Sequence, residues 1–229
     1  TPCDLHVPGG NMGYPAFWIR DAVMMLGGDF ISAQEVEGWI RLICSTIRGP
    51  SDWQVRPGVV VPAHCVPDHI NFDGSACFYP GSNETGEKQG GHPWGKYPPL
   101  DDNFYFIICV YEYCRLTKDM RLFLSPMHTS FNEEPLSDIC EKVYKMPSHD
   151  PETALVVAGD IENENAKDWG FCVCVFKSGN LLFPSLLKFV AARHMAQMFT
   201  ACGNLSKTVH YRAEALRIAA SIETVFLKL

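Results

Sequence analysis

The sequence predicts an all-α fold in which the helices pair as an array of α-hairpins, with long loops and a small β-hairpin. Apolar residues recur at helical spacing in about six segments, and the connections between these segments are alternately long and short. No regular alternation of strands and helices is present, which argues against an α/β fold. With 229 residues, 47% of them apolar and 20% charged, the chain can form a single domain over residues 1–229 with a sizeable core.

The first predicted helix, residues 14–28, is apolar except for two adjacent charges in its middle. Pro15 suits a first helical position, and a Gly-Gly pair suits the end. A helix that is apolar on every side is buried, so Arg20 and Asp21 need partners that compensate for lost hydration. Adjacent residues in a helix do not face each other, which makes the two poor partners for one another. The partners of these two charges could be other charged residues of the core, or they could be the hydroxyl groups of a ligand.

A helix and a long aromatic loop follow. Ser32 opens a capping box, and with it a second helix that runs to about Ile47. The stretch 48–100 is rich in Gly, Pro and aromatic residues, and the segments 58–66 and 75–81 predict a short hairpin within it. A loop of this length in a compact domain is usually functional or disordered. Its aromatic content favours an ordered loop at the rim of a cavity.

The second half of the chain is predicted to contain four helices. They are expected over residues 101–119, 134–144, 185–203 and 206–229, with a strand-like segment at 153–159. Acidic residues open the first of them, where the helix dipole favours negative charge. Gly203 suits the end of the third.

Charge and hydropathy exclude several kinds of partner. The net charge is −7 without a basic cluster, which argues against nucleic acid. No apolar run approaches the ~20 residues of a membrane span. The ten cysteines include no C-x-x-C pair, and several lie among apolar residues of predicted helices. They favour reduced, buried thiols in a cytoplasmic protein, while glycosylation sequons at Asn83 and Asn204 leave secretion open.

No cofactor or metal site is predicted. The chain has no Gly-rich phosphate loop, no dinucleotide fingerprint and no zinc-ligand spacing. The segment 69–74 resembles the start of a calcium loop, but His69 and Pro80 occupy positions that need acidic ligands. His64 and His69 flank Asp68, an arrangement expected to be hydrogen-bonded structure rather than a metal site.

Acidic residues at the ends of apolar segments are the candidates for catalysis. Asp101 and Asp102 open a predicted helix, and Asp168 precedes Trp169 in an acidic loop. If the helices form a ring, residues at the same end of each hairpin converge on one pocket. Two carboxylates flanking a sugar bond there would act as acid and base, and burial beside Trp169 would let Asp168 keep its proton. Helix capping by Asp101 or Asp102 and a solvated acidic loop are the structural alternatives.

Trp94 is the aromatic candidate for sugar contact. It lies in the long loop, within "GGHPWGKYPP", where its ring would stack on the C–H face of a pyranose. Packing within the loop is the alternative.

The motif W-I-R-D in the first predicted helix resembles the W-x-R-D of the six-hairpin glycosidases, the glucoamylase-like (α/α)6 toroids. The resemblance implies that Arg20 and Asp21 bind hydroxyl groups of the innermost sugar and that Trp18 forms a wall of the pocket. "PLDDNFYF…YEYCRLTKD" is similar to the Asp-led inner helix of such toroids. "KDWGF…SGNLLFPSLLKFVAARHMAQM" resembles their acid-bearing loop and next inner helix. The resemblance implies Asp168 as the general acid, with Asp102 as the candidate for the second carboxylate.

These features together predict a glycoside hydrolase that cleaves an O-glycosidic bond of an oligosaccharide or a polysaccharide-derived glycoside, by inversion with paired carboxylates. Asp101, Trp94 and Trp169 complete the expected substrate-binding set. The alternatives are a non-catalytic carbohydrate-binding or scaffold half-domain, and a sugar epimerase or polysaccharide lyase on the same toroid.

The number of predicted helices indicates whether the chain contains a whole toroid. A full toroid of this family has twelve helices, and half a ring would leave apolar inner faces uncovered. The chain is therefore expected to be an incomplete toroid-type domain. It would be the N-terminal half of a larger catalytic domain, or a protein completed by a second half or by a homo-oligomer.

Overall fold

The computed structural model describes residues 16–28, 30–56, 59–78, 98–158 and 179–227. These residues are mostly α-helical, as the sequence predicts. Within them, seven α-helices run over Ile19–Met24 (α1), Ala33–Thr46 (α2), Asp102–Thr117 (α3), Arg121–Leu124 (α4), Leu136–Lys145 (α5), Leu182–Ala201 (α6) and Leu205–Phe226 (α7). A 3₁₀ turn over Met25–Gly28 follows α1 directly.

Nine strands of two to four residues accompany the helices in the described ranges. They are Ala16–Trp18 (β1), Trp53–Arg56 (β2), Val59–Val61 (β3), His69–Asn71 (β4), Ala76–Cys77 (β5), Pro126–His128 (β6), Glu133–Pro135 (β7), Val157–Ala158 (β8) and Gly179–Asn180 (β9). β1, β4 and β5 form an antiparallel sheet with β4 in the middle. The other strands pair as three antiparallel ribbons, β2 with β3, β6 with β7 and β8 with β9.

The helix predicted over residues 14–28 begins later than expected, so this part of the prediction is wrong. Residues Ala16–Trp18 form β1, which pairs with β4, and α1 begins at Ile19. Aromatic side chains favour a pleated, half-buried surface, and the ladder with β4 gives the backbone polar groups partners. The amide of Ile19 donates to the carbonyl of Asp68 at 3.2 Å, which fixes the start of α1 beside β4.

The capping box before α2 is confirmed. Ser32 is the N-cap residue, and its Oγ accepts a hydrogen bond from the amide of Glu35 at 3.2 Å. This bond satisfies one of the amides that a helix start leaves without an intrahelical partner. α2 then runs to Thr46, one residue short of the predicted end.

The hairpin predicted between residues 58–66 and 75–81 is wrong, because each segment pairs with a nearer one. β3 pairs with β2, and β5 pairs with β4. In the turn before β5, Gly74 has a φ of 83°, and its amide donates to the carbonyl of Asn71. A short connection loses less chain entropy on closure than a long one does, which favours the local pairing.

The four helices predicted in the second half are confirmed as α3, α5, α6 and α7, with ends that shift by a few residues. The single turn α4 is an addition that the periodicity does not reveal. The strand-like segment 153–159 contributes β8, which pairs with β9.

One hydrophobic cluster links the longer helices. α3 packs against α1, α2, α5 and α6, and α6 packs along α7. The turn between α6 and α7 includes Gly203 with a φ of 74°, the left-handed conformation that suits a helix stop, as predicted. None of the helices in the described ranges is both long and apolar enough to span a membrane.

Three cysteines in this core have free thiols and are buried, as predicted. Cys44, Cys109 and Cys140 lie buried among the apolar side chains of α2, α3 and α5. They act there as small hydrophobic residues.

Candidate functional site

Arg20 is at the centre of a buried polar cluster. It lies in the first turn of α1, and its side chain is 3% exposed. Its Nε donates to Asp101 Oδ2 at 2.7 Å, and its Nη2 donates to Asp101 Oδ1 at 3.0 Å. Two parallel bonds of this kind are the strongest geometry for an Arg–carboxylate pair. Arg20 thus has the protein partner that the ion-pair alternative predicts, and its saccharide-binding role stays a prediction.

Two further carboxyl groups lie against the same guanidinium. Nη2 of Arg20 is 3.4 Å from Asp102 Oδ2 and 3.8 Å from Asp68 Oδ1. All three aspartates are almost fully buried. Three carboxylates around one guanidinium would leave two excess negative charges in the interior, so a second cation and a bound proton are both needed to balance them.

The start of α3 aims Asp101 at Arg20 instead of using it as a cap. Asp101 is the N-cap residue, yet its side chain makes no capping hydrogen bond. Its backbone carbonyl accepts from the amides of Phe104 and Tyr105, as at any helix start. The capping alternative for Asp101 is therefore wrong, because the carboxylate is committed to the guanidinium.

His69, in β4, supplies the second cation. Its Nδ1 is 2.8 Å from Asp68 Oδ2, and its ring lies on Trp18 with the ring centroids 4.1 Å apart. Burial works to lower the pKa of this imidazole, but hydrogen bonds to the Asp68 carboxylate and the Cys77 thiol outweigh it and raise the pKa of His69 to about 10. At neutral pH His69 is an imidazolium, and its Nδ1 donates to Asp68.

Asn103, the second residue of α3, holds the segment before Asp68 in place. Its Oδ1 accepts from the amide of Val66 at 2.9 Å, and its Nδ2 donates to the carbonyl of Val143 at 2.8 Å. Asn103 is fully buried, so these bonds compensate for the water it loses. They tie the chain leading to Asp68 to the helix that begins at Asp102.

Asp102 is the carboxyl group whose surroundings favour a proton. Burial raises the pKa of Asp102 well above its usual range, and attraction to Arg20 only partly offsets this. Burial raises the pKa of Asp101 only to about 6, because Arg20 stabilises its charge. Oδ1 of Asp102 and Oδ1 of Asp68 are buried without a hydrogen-bond partner in the described part of the chain. With Asp102 protonated, the charges of Arg20 and His69 balance those of Asp68 and Asp101.

Four of the predicted site residues come together, and one stands apart. The four are Trp18, Arg20, Asp101 and Asp102. Asp21 has an exposed side chain on α1, within electrostatic range of Arg20. Three further predicted site residues, Trp94, Asp168 and Trp169, lie outside the described residues, so their roles stay predictions.

The sequence analysis does not assign Asp68 and His69 to a functional site, although the structure brings both into the cluster. The available signal is an adjacent Asp-His pair within a loop rich in aromatic residues. Their position beside Arg20 depends on the pairing of β1 with β4, which no local pattern reveals. In the described ranges, no group of His, Cys, Asp and Glu side chains has the arrangement needed to hold a metal ion.

No model of a known protein family matches the chain, and no curated protein matches it at a significant level.

Proposed function

We propose that this protein is a glycoside hydrolase of the (α/α)6 toroid class, with its saccharide site at the Arg20 cluster, defined as Arg20, Asp68, His69, Asp101 and Asp102. The observation that supports this proposal is a carboxyl group that favours its proton, Asp102, next to a carboxylate, Asp101, that Arg20 keeps charged. Acid and base carboxyl groups held in different protonation states are what glycoside cleavage requires.

Asp102 is the proposed proton donor. A sugar alcohol leaves readily only when an acid protonates the glycosidic oxygen, and the raised pKa of Asp102 suits that role near neutral pH. Its Oδ1, which has no partner among the described residues, would face that oxygen. The sequence-based assignment differs, with Asp168 as the donor and Asp102 as the candidate for the carboxylate that activates water. A raised pKa makes a carboxyl group a better donor than a base at neutral pH.

Asp21 and Trp18 are the proposed sugar contacts. The exposed carboxylate of Asp21 can accept hydrogen bonds from hydroxyl groups, and Trp18 offers an aromatic wall. Arg20 would be a positioning residue, because its Nε and Nη2 already donate to protein carboxyl groups. The proposed ring has twelve helices, so a further helical half would complete it.

The test compares two leaving groups. The wild-type chain, Asp102→Asn and Asp168→Asn are assayed on a dinitrophenyl glycoside and on the matching alkyl glycoside. Loss of the general acid slows alkyl-glycoside cleavage by about 10²–10⁴-fold but spares the dinitrophenyl glycoside, whose leaving group needs no proton. The matched control is Asp138→Asn, because Asp138 is exposed on α5.

The outcomes separate the assignments. A selective loss in Asp102→Asn supports the proposed donor, and the same selective loss in Asp168→Asn alone assigns the donor to Asp168. A wild-type chain that cleaves neither substrate contradicts the hydrolase proposal.

A non-catalytic carbohydrate-binding module is the second candidate, and the enclosure of the cluster favours it. Arg20, Asp68, Asp101 and Asp102 are each no more than 3% exposed, so they meet a substrate only after a movement. Calorimetric titration with oligosaccharides tests this candidate. Binding without turnover, weakened by Asp21→Asn and not by Asp138→Asn, would establish the module.

A further inference from the structure

Three side chains form a row across the small sheet. Trp18 in β1 lies opposite His69 in β4, and His69 lies opposite Cys77 in β5. Directly opposed residues in a sheet project from the same face, so an indole, an imidazole and a thiol stand side by side. The sheet register, rather than a flexible loop, sets this order.

His69 is bonded on both sides. Its Nδ1 is 2.8 Å from Asp68 Oδ2, and its ring also forms a hydrogen bond with the thiol of Cys77. A nucleophile next to an imidazole that a carboxylate orients is the arrangement that activates serine and cysteine nucleophiles. Trp18 covers one face of the imidazole, which limits the ring to the orientation that serves both partners.

Other buried thiols have different surroundings. Cys44, Cys109 and Cys140 lie in apolar helix packing, and burial raises their pKa values, to about 12 for Cys44. A thiol in such a site stays protonated and unreactive. Cys77 differs because a cationic imidazole lies directly against its sulfur.

We propose that Cys77, His69 and Asp68 form a nucleophilic triad, and that Cys77 is a covalent modification site for small, uncharged carbon electrophiles. In the reaction, the sulfur electron pair forms the S–C bond while the bond from that carbon to the leaving group breaks and the leaving group takes its electron pair. The thiol proton is released to water when the site opens, and the His69 imidazolium, whose charge Asp68 stabilises, stabilises the thiolate that is left. The triad shares Asp68 and His69 with the Arg20 cluster, but alkylation of Cys77 does not depend on the proposed glycoside hydrolysis.

Access to Cys77 requires a local opening. Its side chain is fully buried, but β5 has two residues and, among the described strands, lies at the edge of the sheet. Short edge strands open at a small part of the global unfolding free energy. A small electrophile can therefore meet the sulfur without global unfolding.

The experiment is limited alkylation of the native chain with iodoacetamide, followed by peptide mass mapping. Cys77 should react about tenfold or more faster than Cys109 and Cys140. It should also react at least as fast as Cys202, which is partly exposed. Equal labelling of Cys77, Cys109 and Cys140 would overturn the proposal.

Variants separate activation from exposure. His69→Gln and Asp68→Asn should each slow alkylation of Cys77 by about tenfold, with His128→Gln as the control because His128 is exposed in β6. An unchanged or faster rate at Cys77 in both variants would mean that access alone governs labelling, and would overturn the triad. If one of these two variants does not fold, the alkylation rate of Cys77 in the other variant tests the triad. The comparison of Cys77 with Cys109 and Cys140 in the wild-type chain needs neither variant.

Discussion

Arg20 and Asp101 are joined by two hydrogen bonds, of 2.7 Å and 3.0 Å, although 81 positions separate them in the chain. The pair connects the first turn of α1 to the start of α3 inside the core. Both charges are nearly withdrawn from water, so each depends on the other for its solvation.

Replacing Arg20 should therefore be severely destabilising. Arg20→Met leaves Asp68 and Asp101 charged without their guanidinium, and breaking a buried pair in this way costs about 3–5 kcal/mol. The free energy of unfolding from urea titration measures the loss. Arg41→Met is the matched control, because Arg41 pairs with Glu37 on the exposed face of α2, where the loss should be about 0.5 kcal/mol or less. Similar losses in the two variants would contradict the buried-network description.

The Asp102 carboxyl group should make the protein less stable as the pH rises above the acid range. In the unfolded chain Asp101 and Asp102 lose their protons near pH 3.8, whereas in the folded chain Asp101 does so at about 6 and Asp102 higher still. Between these values the folded state holds more protons, so raising the pH favours unfolding. This contribution is fully present below pH 3.8 and is lost as the pH rises through the folded-state pKa values.

Asp102→Asn isolates that effect. The amide cannot ionise, so the variant should have a higher melting temperature than the wild type at about pH 8 and no such advantage at about pH 4.5. Thermal melts followed by circular dichroism across this range give the comparison, with Asp138→Asn as the control. The same difference from the wild type at both pH values would argue against a raised pKa for Asp102.

The Ser32 cap should contribute measurably to stability. Ser32→Ala removes the acceptor for the Glu35 amide and should lower the free energy of unfolding by about 1 kcal/mol. Ser45→Ala, in the last turn of the same helix, removes a hydroxyl that only donates to the Leu42 carbonyl. Its effect should be within about 0.5 kcal/mol of zero, as for other exposed surface positions. An equal loss of unfolding free energy in Ser32→Ala and Ser45→Ala would mean that the hydrogen bond of the cap does not cause the loss.

Substitution by alanine should lower the free energy of unfolding at Gly203 but not at Gly27. Gly203 has a φ of 74°, and a side chain in that conformation costs about 1–2 kcal/mol even though no atom lies within 4 Å of its new Cβ. Gly27 is equally open but has no positive φ. Gly27→Ala should be neutral or stabilising, by up to about 1 kcal/mol, because it restricts the unfolded chain. Chemical denaturation gives the free energy of unfolding of both variants. A loss of stability in Gly27→Ala would contradict the prediction that only Gly203 depends on its positive φ.

Elements set by local rules could be predicted from the sequence. The Ser32 cap, the Gly203 stop and the helices α3, α5, α6 and α7 depend on residues within a turn or two of one another, and all were found. The predicted first helix is too long because the apolar residues before Ile19 suit a strand as well as a helix. Their partner strand lies some 50 positions further along the chain, beyond the range of any local pattern.

The candidate site also contains residues that a local pattern reveals and residues that only the pairing of distant strands brings together. Arg20, Asp101 and Asp102 could be selected because charge within an apolar segment needs an explanation, and the three do meet. Asp68 and His69 could not, because their role depends on which strands pair. Adjacent histidine and aspartate residues in a loop are common, and only the register of β4 against β1 gives this pair its neighbours.

The register of the small sheet also has a consequence for the order of folding. α6 and α7 meet through a turn of a few residues, whereas the Arg20 cluster brings together positions 20 to 102 from three separate stretches of chain. Contacts between distant positions must first overcome the entropy of closing the intervening chain, so they form slowly. Pulsed hydrogen exchange during refolding should protect the amides of the last two helices before those of β1 and β4. A chain stopped midway through folding would hold the hairpin of α6 and α7 while the residues of the Arg20 cluster were still apart.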